Sequence, residues 1–598
     1  MKLQNIIYPS TKNCTEETLY FRRIGGVYYS FADEHITMHR EAQLFFDTYF
    51  NSFSAGKWYK YTNVGEIKLN LKLKGKVRVS LFYKEKQATQ ICTKMIEEFY
   101  CDTEGEIKEI ECAFDTEYTQ GMYAFSLLAM EDNVEFHSGF YYTEVPKKLE
   151  QMVCLGIVIC TFKREKYVYK NMKMLCEAFL ENKDSELYKN LEVIISDNAQ
   201  SLDRTKLSNN KIHVFKNKNV GGSGGFTRGL IETMKLSKKI PITHVLLMDD
   251  DVVIQPESIY RTFTLLKLLK EEYKDTYIGG AMLRTDLQWF QTEAGGIWNA
   301  GRLISHKCGL DLRTLDACLY NETEEKCEFN AWWYCTIPME FVREDNLPLP
   351  IFIRGDDVEY GLRNMKHLIL MNGICVWHEP FEFKYSSSMY YYIFRNRLID
   401  NAVRGLKYTE KEFLKEFSSQ YIHEIFLLRY KNARLLLEGA KDFLKGIDWI
   451  KEQDGEALNK EIMSKGYKLQ YVDELPVSFT YPEYEQTLRF CDSKKQQRKR
   501  RLTLNGFLCK AEKIAIVPVN GTCIAHFYKV GTALNYDLSS KKGFVTYRDR
   551  KEMIQLWKEY IKFSSEVKKN YKKVVAEYES RKEEITNLQF WNEYLNLK

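Results

Sequence analysis

Asp249, Asp250 and Asp251 follow the apolar run His244-Val245-Leu246-Leu247-Met248, so a buried strand ends by delivering three carboxylates to one place. Side chains alternate along a strand, which turns Asp249 and Asp251 the same way and Asp250 the other. Like charges this close resist joint ionisation unless a cation compensates them, and oxygen ligands suit Mg or Mn. Upstream, Asn219-Val220-Gly221-Gly222-Ser223-Gly224-Gly225-Phe226-Thr227-Arg228-Gly229 stands between the strand-like Ile212-His213-Val214-Phe215 and the helix-like Leu230-Ile231-Glu232-Thr233-Met234. A glycine-rich turn at a helix start lets backbone N–H groups approach phosphate or other polar ligand groups. It is not a Walker loop, since no Gly-Lys-Ser/Thr is present after it, and the dinucleotide fingerprint fails for want of its third glycine.

The elements that must position these groups are short β-rich runs. Val153–Cys160 leads into Thr161-Phe162-Lys163-Arg164, and Leu191–Ser196 leads into Asp197-Asn198. Helix-like segments separate them, so strand, helix and strand repeat and predict a parallel sheet with its ligand at the carboxyl ends of the strands. Thr161, Arg164, Asp197, the glycine loop and the triple aspartate then meet at one edge.

Downstream stand Asn330-Ala331-Trp332-Trp333-Tyr334, then Ile353-Arg354-Gly355-Asp356-Asp357-Val358-Glu359-Tyr360-Gly361, then Val376-Trp377-His378-Glu379-Pro380. The order of these blocks resembles glycosyltransferase family 2 with the GT-A fold, and within it the galactofuranosyltransferases of bacterial cell-wall galactan. The resemblance is strongest over about residues 150–400. It implies Asp249, Asp251 and His378 as ligands of a Mn or Mg ion, the imidazole tilting the choice toward Mn. It implies Asp357 as general base, with Asp356, Glu359, Trp332 and Trp333 at the acceptor. Thr161, Phe162, Arg164, Asp197, Asn219, Gly222, Arg228, Asp249 and Asp250 are the expected donor-site residues. One departure is visible: the galactofuranosyl enzymes carry an aromatic residue immediately before the paired acids, where this chain has Gly355.

The expected activity is inverting transfer of galactofuranose from UDP-galactofuranose to a glycan acceptor on a lipid carrier. The alternatives are a family 2 enzyme using dTDP-rhamnose or UDP-glucose, a nucleotidyltransferase, and a glycan-binding protein without catalysis. A nucleotidyltransferase is disfavoured because Thr161-Phe162-Lys163-Arg164 stands where a basic glycine-rich loop belongs. The intact acids and His378 speak against a silent binding protein.

A chain of 598 residues exceeds one core, and a formal charge of +5 gives no ground for nucleic-acid binding. Fifteen cysteines contain no Cys-x-x-Cys pair, which predicts reduced thiols and a cytoplasmic protein. The first residues lack a signal-peptide core, and no run of about 18 apolar residues is present, so any lipid-linked acceptor is expected to be reached from the cytoplasmic side, peripherally at the inner face of the membrane.

Alternating segments such as Ile67–Lys74 and Val77–Tyr83 predict half-buried strands, and residues 1–148 are expected to form an antiparallel β-sandwich. An interdomain or homo-oligomer contact and a sugar site are its candidate roles. Residues 149–385 are expected to form the GT-A domain and 386–598 a mainly helical region, in an overall α/β chain. In that last region Trp557, Tyr560, Val567, Tyr571, Val574 and Tyr578 recur at helical spacing, the signature of a long amphipathic helix. The basic run Lys494–Arg501 is expected either to be a solvated loop or to touch anionic headgroups. The strand-like Ile514–Val519 has no assigned role.

Overall fold

A computed structural model describes residues 1–114, 118, 120–299, 301–381, 385–405, 408–489, 492–511 and 513–597. The N-terminal part forms two antiparallel sheets. Ile67–Lys74 buries Ile67, Leu69, Leu71 and Leu73, and Lys76–Gln87 buries Val77, Val79 and Leu81, so the period-two pattern sets the inward face of each sheet. Paired strands run through Thr143 and a short helical turn, Lys147–Leu149, leads out. This module packs directly against the second part of the chain. The Glu257 carboxylate accepts from the backbone N–H of Asn5 at 2.7 Å and from Asn5 Nδ2 at 2.8 Å, while Arg261 donates to the Phe50 carbonyl at 2.6 Å.

The second part is a mixed sheet. Strands β1 (Leu155–Thr161), β2 (Leu191–Asp197), β3 (Ile212–Lys216) and β4 (His244–Asp249) are mutually parallel in the spatial order β3-β2-β1-β4. Helix α1 (Gly221–Ser237) crosses from β3 to β4. Both faces of these strands are covered. Ile157, Ile159, Leu246 and Met248 join a core shared with the sandwich, whereas Val158, Val245 and Leu247 join a second core shared with the C-terminal helices. Strands buried on both faces read as unbroken apolar runs, as these do. Beyond β4 the sheet continues through β6 (Cys335–Pro338), antiparallel to β4, to β5 (Tyr277–Arg284), which pairs in parallel with β7 (Leu368–His378).

The C-terminal part is built on α3 (Ser388–Val403) and the helices after it. Helix α4 (Arg550–Arg581) is the expected long amphipathic helix, but its buried stripe is Met553, Leu556, Phe563, Val567, Tyr571, Val574 and Tyr578; Trp557 and Tyr560 are half-buried at its flank. The strand-like piece is not isolated: Lys513–Pro518 pairs in parallel with Val530–Asp537 inside a four-stranded sheet that local pattern alone does not expose. The basic run is a helix, Lys494–Leu502, rather than a loop, capped by a reciprocal Ser493–Gln496 box. Among the described residues no helix is long and apolar enough to cross a membrane.

Candidate functional site

Strand β4 ends at Asp249, and the chain turns through Asp250 and Asp251 before Val253–Ile254 pairs antiparallel with Trp377 and Val376 of β7. That short pairing carries the end of β7 to the acidic turn. His378 Nε2 lies 3.4 Å from Asp251 Oδ1, and one ligand atom each from Asp249, Asp251 and His378 falls within 4.8 Å of the others. His378 is buried, with no hydrogen-bond partner at Nδ1 among the described residues. Two carboxylates and an imidazole at this spacing fit a divalent metal ion. Arg164 also pairs with Asp251 and approaches Asp250 at 3.9 Å. Asp250 turns the other way, toward the Thr161 hydroxyl; burial, and secondarily the Asp251 and Asp249 charges, push it up to about 7.

The glycine loop and the acid pair meet. Gly221 opens α1 at φ +75°, and a Cβ there would lie 2.1 Å from the Phe352 carbonyl, so only glycine allows this approach. The next turn is tied by Ser223 N–H donating to the same carbonyl at 3.1 Å. A Cβ on Gly222 would lie 4.0 Å from Asp356 Oδ2, which places the start of α1 beside the acids. Asn198 Nδ2 donates to the Gly221 carbonyl at 2.9 Å, and Asn219 Oδ1 accepts from Gly221 N–H at 3.3 Å, fixing the loop to the end of β2. Cys160 lies among these groups, and burial followed by Asp250, Asp249 and Asp356 pushes its thiol up.

The acid pair opens α2 (Asp356–Asn364) after a loop in which Phe352 (φ +75°), Arg354 (φ +68°) and Gly355 (φ +97°) are all left-handed. Two of these are not glycine, so the surroundings must hold them. Helix α3 does so. Asn396 Nδ2 donates to the carbonyls of Ile353 at 2.6 Å and Arg354 at 2.7 Å, and Arg395 donates to that of Ile351 at 2.7 Å. Burial, then Asp357, pushes Asp356 up to about 8. Asp357 is also raised by burial, with the Val358 N–H bond at 2.9 Å and the Arg354 guanidinium opposing. Burial and mutual repulsion thus disfavour charge on both acids at once, while the helix N-terminus on which both stand favours negative charge.

Asp357 opens onto a cleft of about 600 Å³ lined by Glu293, Trp298, Trp333, Arg354, Arg397 and Asp400 among others. Of the two expected acceptor tryptophans, Trp333 lines this cleft, with Nε1 donating to the Gly280 carbonyl at 3.0 Å. Trp332 does not: its ring packs edge-on against Phe226 and Tyr360 at 5.2 and 6.0 Å. Glu359 points away as well, bonding both arms of Arg363 at 3.0 and 2.9 Å. The reason is helical phase, which separates Glu359 from Asp357 by two residues and hence about half a turn. Arg228 pairs with Glu232 at 3.0 Å and lies over Phe215, drawn along α1 away from its glycine start. Asp197 is buried, accepting from Leu202 N–H at 2.9 Å and Ala199 N–H at 3.2 Å, while Phe162 is exposed. Glu293, Trp298, Arg397 and Asp400 are cleft residues that sequence reasoning does not single out. For Asp400 a signal exists: it stands four residues after Asn396 on α3, and so on the same helix face.

Residues 156–312 match the family model described as glycosyl transferase family 2. This segment is a family 2 glycosyltransferase domain. The family 2 domain has the GT-A fold and here comes after a module, residues 3–144, that matches the model described as galactofuranosyltransferase 2 N-terminal. Galactofuranosyltransferase GlfT2 of Mycolicibacterium smegmatis is 26% identical over 438 residues, covering 68% of this chain and 64% of that protein. GlfT2 of Mycobacterium tuberculosis is 23% identical over 439 residues, covering 69% and 66%. The match therefore spans about two thirds of the length of these relatives. A solved structure, TmCBM61 in complex with β-1,4-galactotriose, is similar at 14% identity and a TM-score of 0.16 over 24% of this chain and 99% of that one, too low to bear on fold or function.

Proposed function

We propose that this protein is an inverting, metal-dependent glycosyltransferase that moves galactofuranose from UDP-galactofuranose to a glycan acceptor, which is carried on a lipid. The observation that carries the reading is adjacency: the glycine start of α1 lies beside Asp356, which feels the Asp249 charge of the Asp249, Asp251 and His378 cluster, and His378 packs against Phe381, a wall of the cleft onto which Asp357 opens. The names of the relatives support galactofuranose as the sugar.

The donor diphosphate faces the first turn of α1, whose backbone N–H groups favour anions. Asp249, Asp251 and His378 would hold a Mn or Mg ion, which would supply Lewis-acid stabilisation of the charge that develops on the leaving nucleotide. Asp357 takes the proton of the acceptor hydroxyl. The acceptor oxygen forms its bond to the anomeric carbon as the bond from that carbon to the phosphate oxygen breaks, and the electron pair leaves with UDP. Direct displacement inverts the anomeric centre and calls for no enzyme nucleophile. Trp333 offers a flat wall for the acceptor sugar.

A lipid-borne acceptor places the protein at the inner face of a membrane. The helix Lys494–Leu502 carries six basic residues, and Leu502, Leu504 and Leu508 beside it are 80%, 54% and 65% exposed, a combination suited to an anionic headgroup surface. The test of the whole reading is a donor panel: purified protein with Mn, assayed for slow hydrolysis of each nucleotide sugar and for protection against thermal unfolding. A selective response to UDP-galactofuranose is expected; a stronger one to UDP-glucose or dTDP-rhamnose overturns the donor, and no response to any nucleotide sugar overturns the activity.

A further inference from the structure

Asp400 has no part in the mechanism above, yet it occupies an unusual place. It lies on α3, is 1% exposed, and its Oδ1 has no hydrogen-bond partner among the described residues. A buried carboxyl oxygen without a partner is destabilising, and an apolar side chain at the same position of a buried helix face would not be. The group nevertheless lines the cleft shared by Asp357, Arg354 and Trp333.

Position 355 supplies the room. A Cβ on Gly355 would come within 2.5 Å of Asp400 Oδ2 and 3.5 Å of Asn396 Cβ. A side chain at 355, above all an aromatic one, would take the volume that the Asp400 carboxyl fills. The absence of a side chain at 355 and the presence of the Asp400 carboxyl on α3 are thus sterically linked, and together they set the chemistry of the cleft wall next to Asp357. Burial and the neighbouring Glu359, Asp356 and Asp357 hold Asp400 well above the usual carboxylate range, with Arg395 opposing. In that state the group can donate as well as accept.

We propose that Asp400 is an acceptor-binding residue, whose carboxyl pairs with a hydroxyl of the incoming sugar and forms with Gly355 a polar subsite that selects the acceptor. The proposal rests on the transferase reading. A sugar hydroxyl is the ligand of choice because it both donates and accepts, as a carboxyl in this state does.

The test compares wild type with Asp400→Leu and Asp400→Asn on octyl glycosides of a short β-galactofuranosyl oligosaccharide and on the set of its monodeoxy analogues. Donor hydrolysis and calorimetric binding of UDP with Mn are measured alongside. Wild type is expected to lose roughly tenfold or more in kcat/KM on one monodeoxy analogue. Asp400→Leu is expected to raise the acceptor KM about tenfold or more and to lose that discrimination, because the hydroxyl has no partner to miss. UDP binding should be unchanged and Tm equal or higher, since an unpaired buried carboxyl has been removed; Asp400→Asn should recover part of the discrimination. Unchanged acceptor KM and unchanged discrimination in Asp400→Leu overturn the proposal, as does a lowered Tm with a parallel loss of UDP binding. If Asp400→Leu does not fold, Asp400→Asn and Gly355→Ala, whose methyl group displaces the carboxyl, decide by the same discrimination. If wild type hydrolyses no donor, the transferase reading has failed, and Asp400 is judged by calorimetric binding of the same glycosides to wild type and variant.

Discussion

Asp357→Asn separates acceptor activation from donor binding more sharply than any other single change. The amide is isosteric, and its oxygen can keep the 2.9 Å bond from Val358 N–H. It also removes one of two crowded acids, so the fold should not suffer: Asp356, held at about 8 by burial and by Asp357, falls toward its ordinary range. What the amide cannot do is accept a proton at neutral pH. Loss of a positioned base costs roughly 10²- to 10⁴-fold in rate, or about 3–5 kcal/mol of barrier. Transfer is measured as UDP release with a soluble galactofuranosyl acceptor, and UDP binding with Mn by calorimetry. The expected result is that fall in kcat, with UDP affinity and Tm at wild-type values. A near wild-type rate would move the base to Asp356, and a rate loss matched by lost UDP affinity would place the acids in the donor pocket; either refutes the assignment.

Asp251→Ala should abolish Mn-dependent UDP binding, whereas His378→Ala should be milder and regain activity at high Mn; metal-independent UDP binding in Asp251→Ala, read by calorimetry in chelator, would remove the ion from the reading. Asp356→Asn should raise thermal stability in a pH-dependent way. The folded-state value of about 8 exceeds the unfolded value of about 4, so wild type binds the extra proton in the folded state and loses this contribution as pH rises between the two. The Tm advantage of the variant should therefore be small near pH 4 and grow toward pH 8, and a pH-independent difference in melting scans would contradict the burial argument. Neutralising Lys494, Lys495, Arg498 and Lys499 together should weaken binding to anionic vesicles by about 4 kcal/mol, roughly a thousandfold, with activity on a soluble acceptor unchanged. Vesicle sedimentation that shows no difference at low salt would rule that helix out as the contact.

Local pattern is informative where the chemistry lies at the end of an element. The apolar runs before Thr161, Asp197 and Asp249 are buried on both faces, so each had to be a strand, and strands joined through helices had to be parallel with those residues at one edge. The same logic exposes the glycine start of α1 and the long helix Arg550–Arg581, because periodicity survives wherever one face meets a core. It cannot say which face. Trp332 and Trp333 are adjacent and identical in type, yet one packs between Phe226 and Tyr360 in one core while the other joins the opposite core and reaches the cleft.

Contacts between distant segments are decided by the tertiary structure alone. His378 stands far along the chain from Asp251, and sequence order offers nothing to join them apart from resemblance. The pairing of Val253 with Trp377 brings them within 3.4 Å. The left-handed residues before the acid pair are stabilised by two side chains of α3, and Asp400 fits only because Gly355 leaves it space. The residues fix the groups that can do chemistry, because side-chain type is local; packing fixes which of them share a cleft, because proximity between strangers in sequence is settled only when the whole core closes.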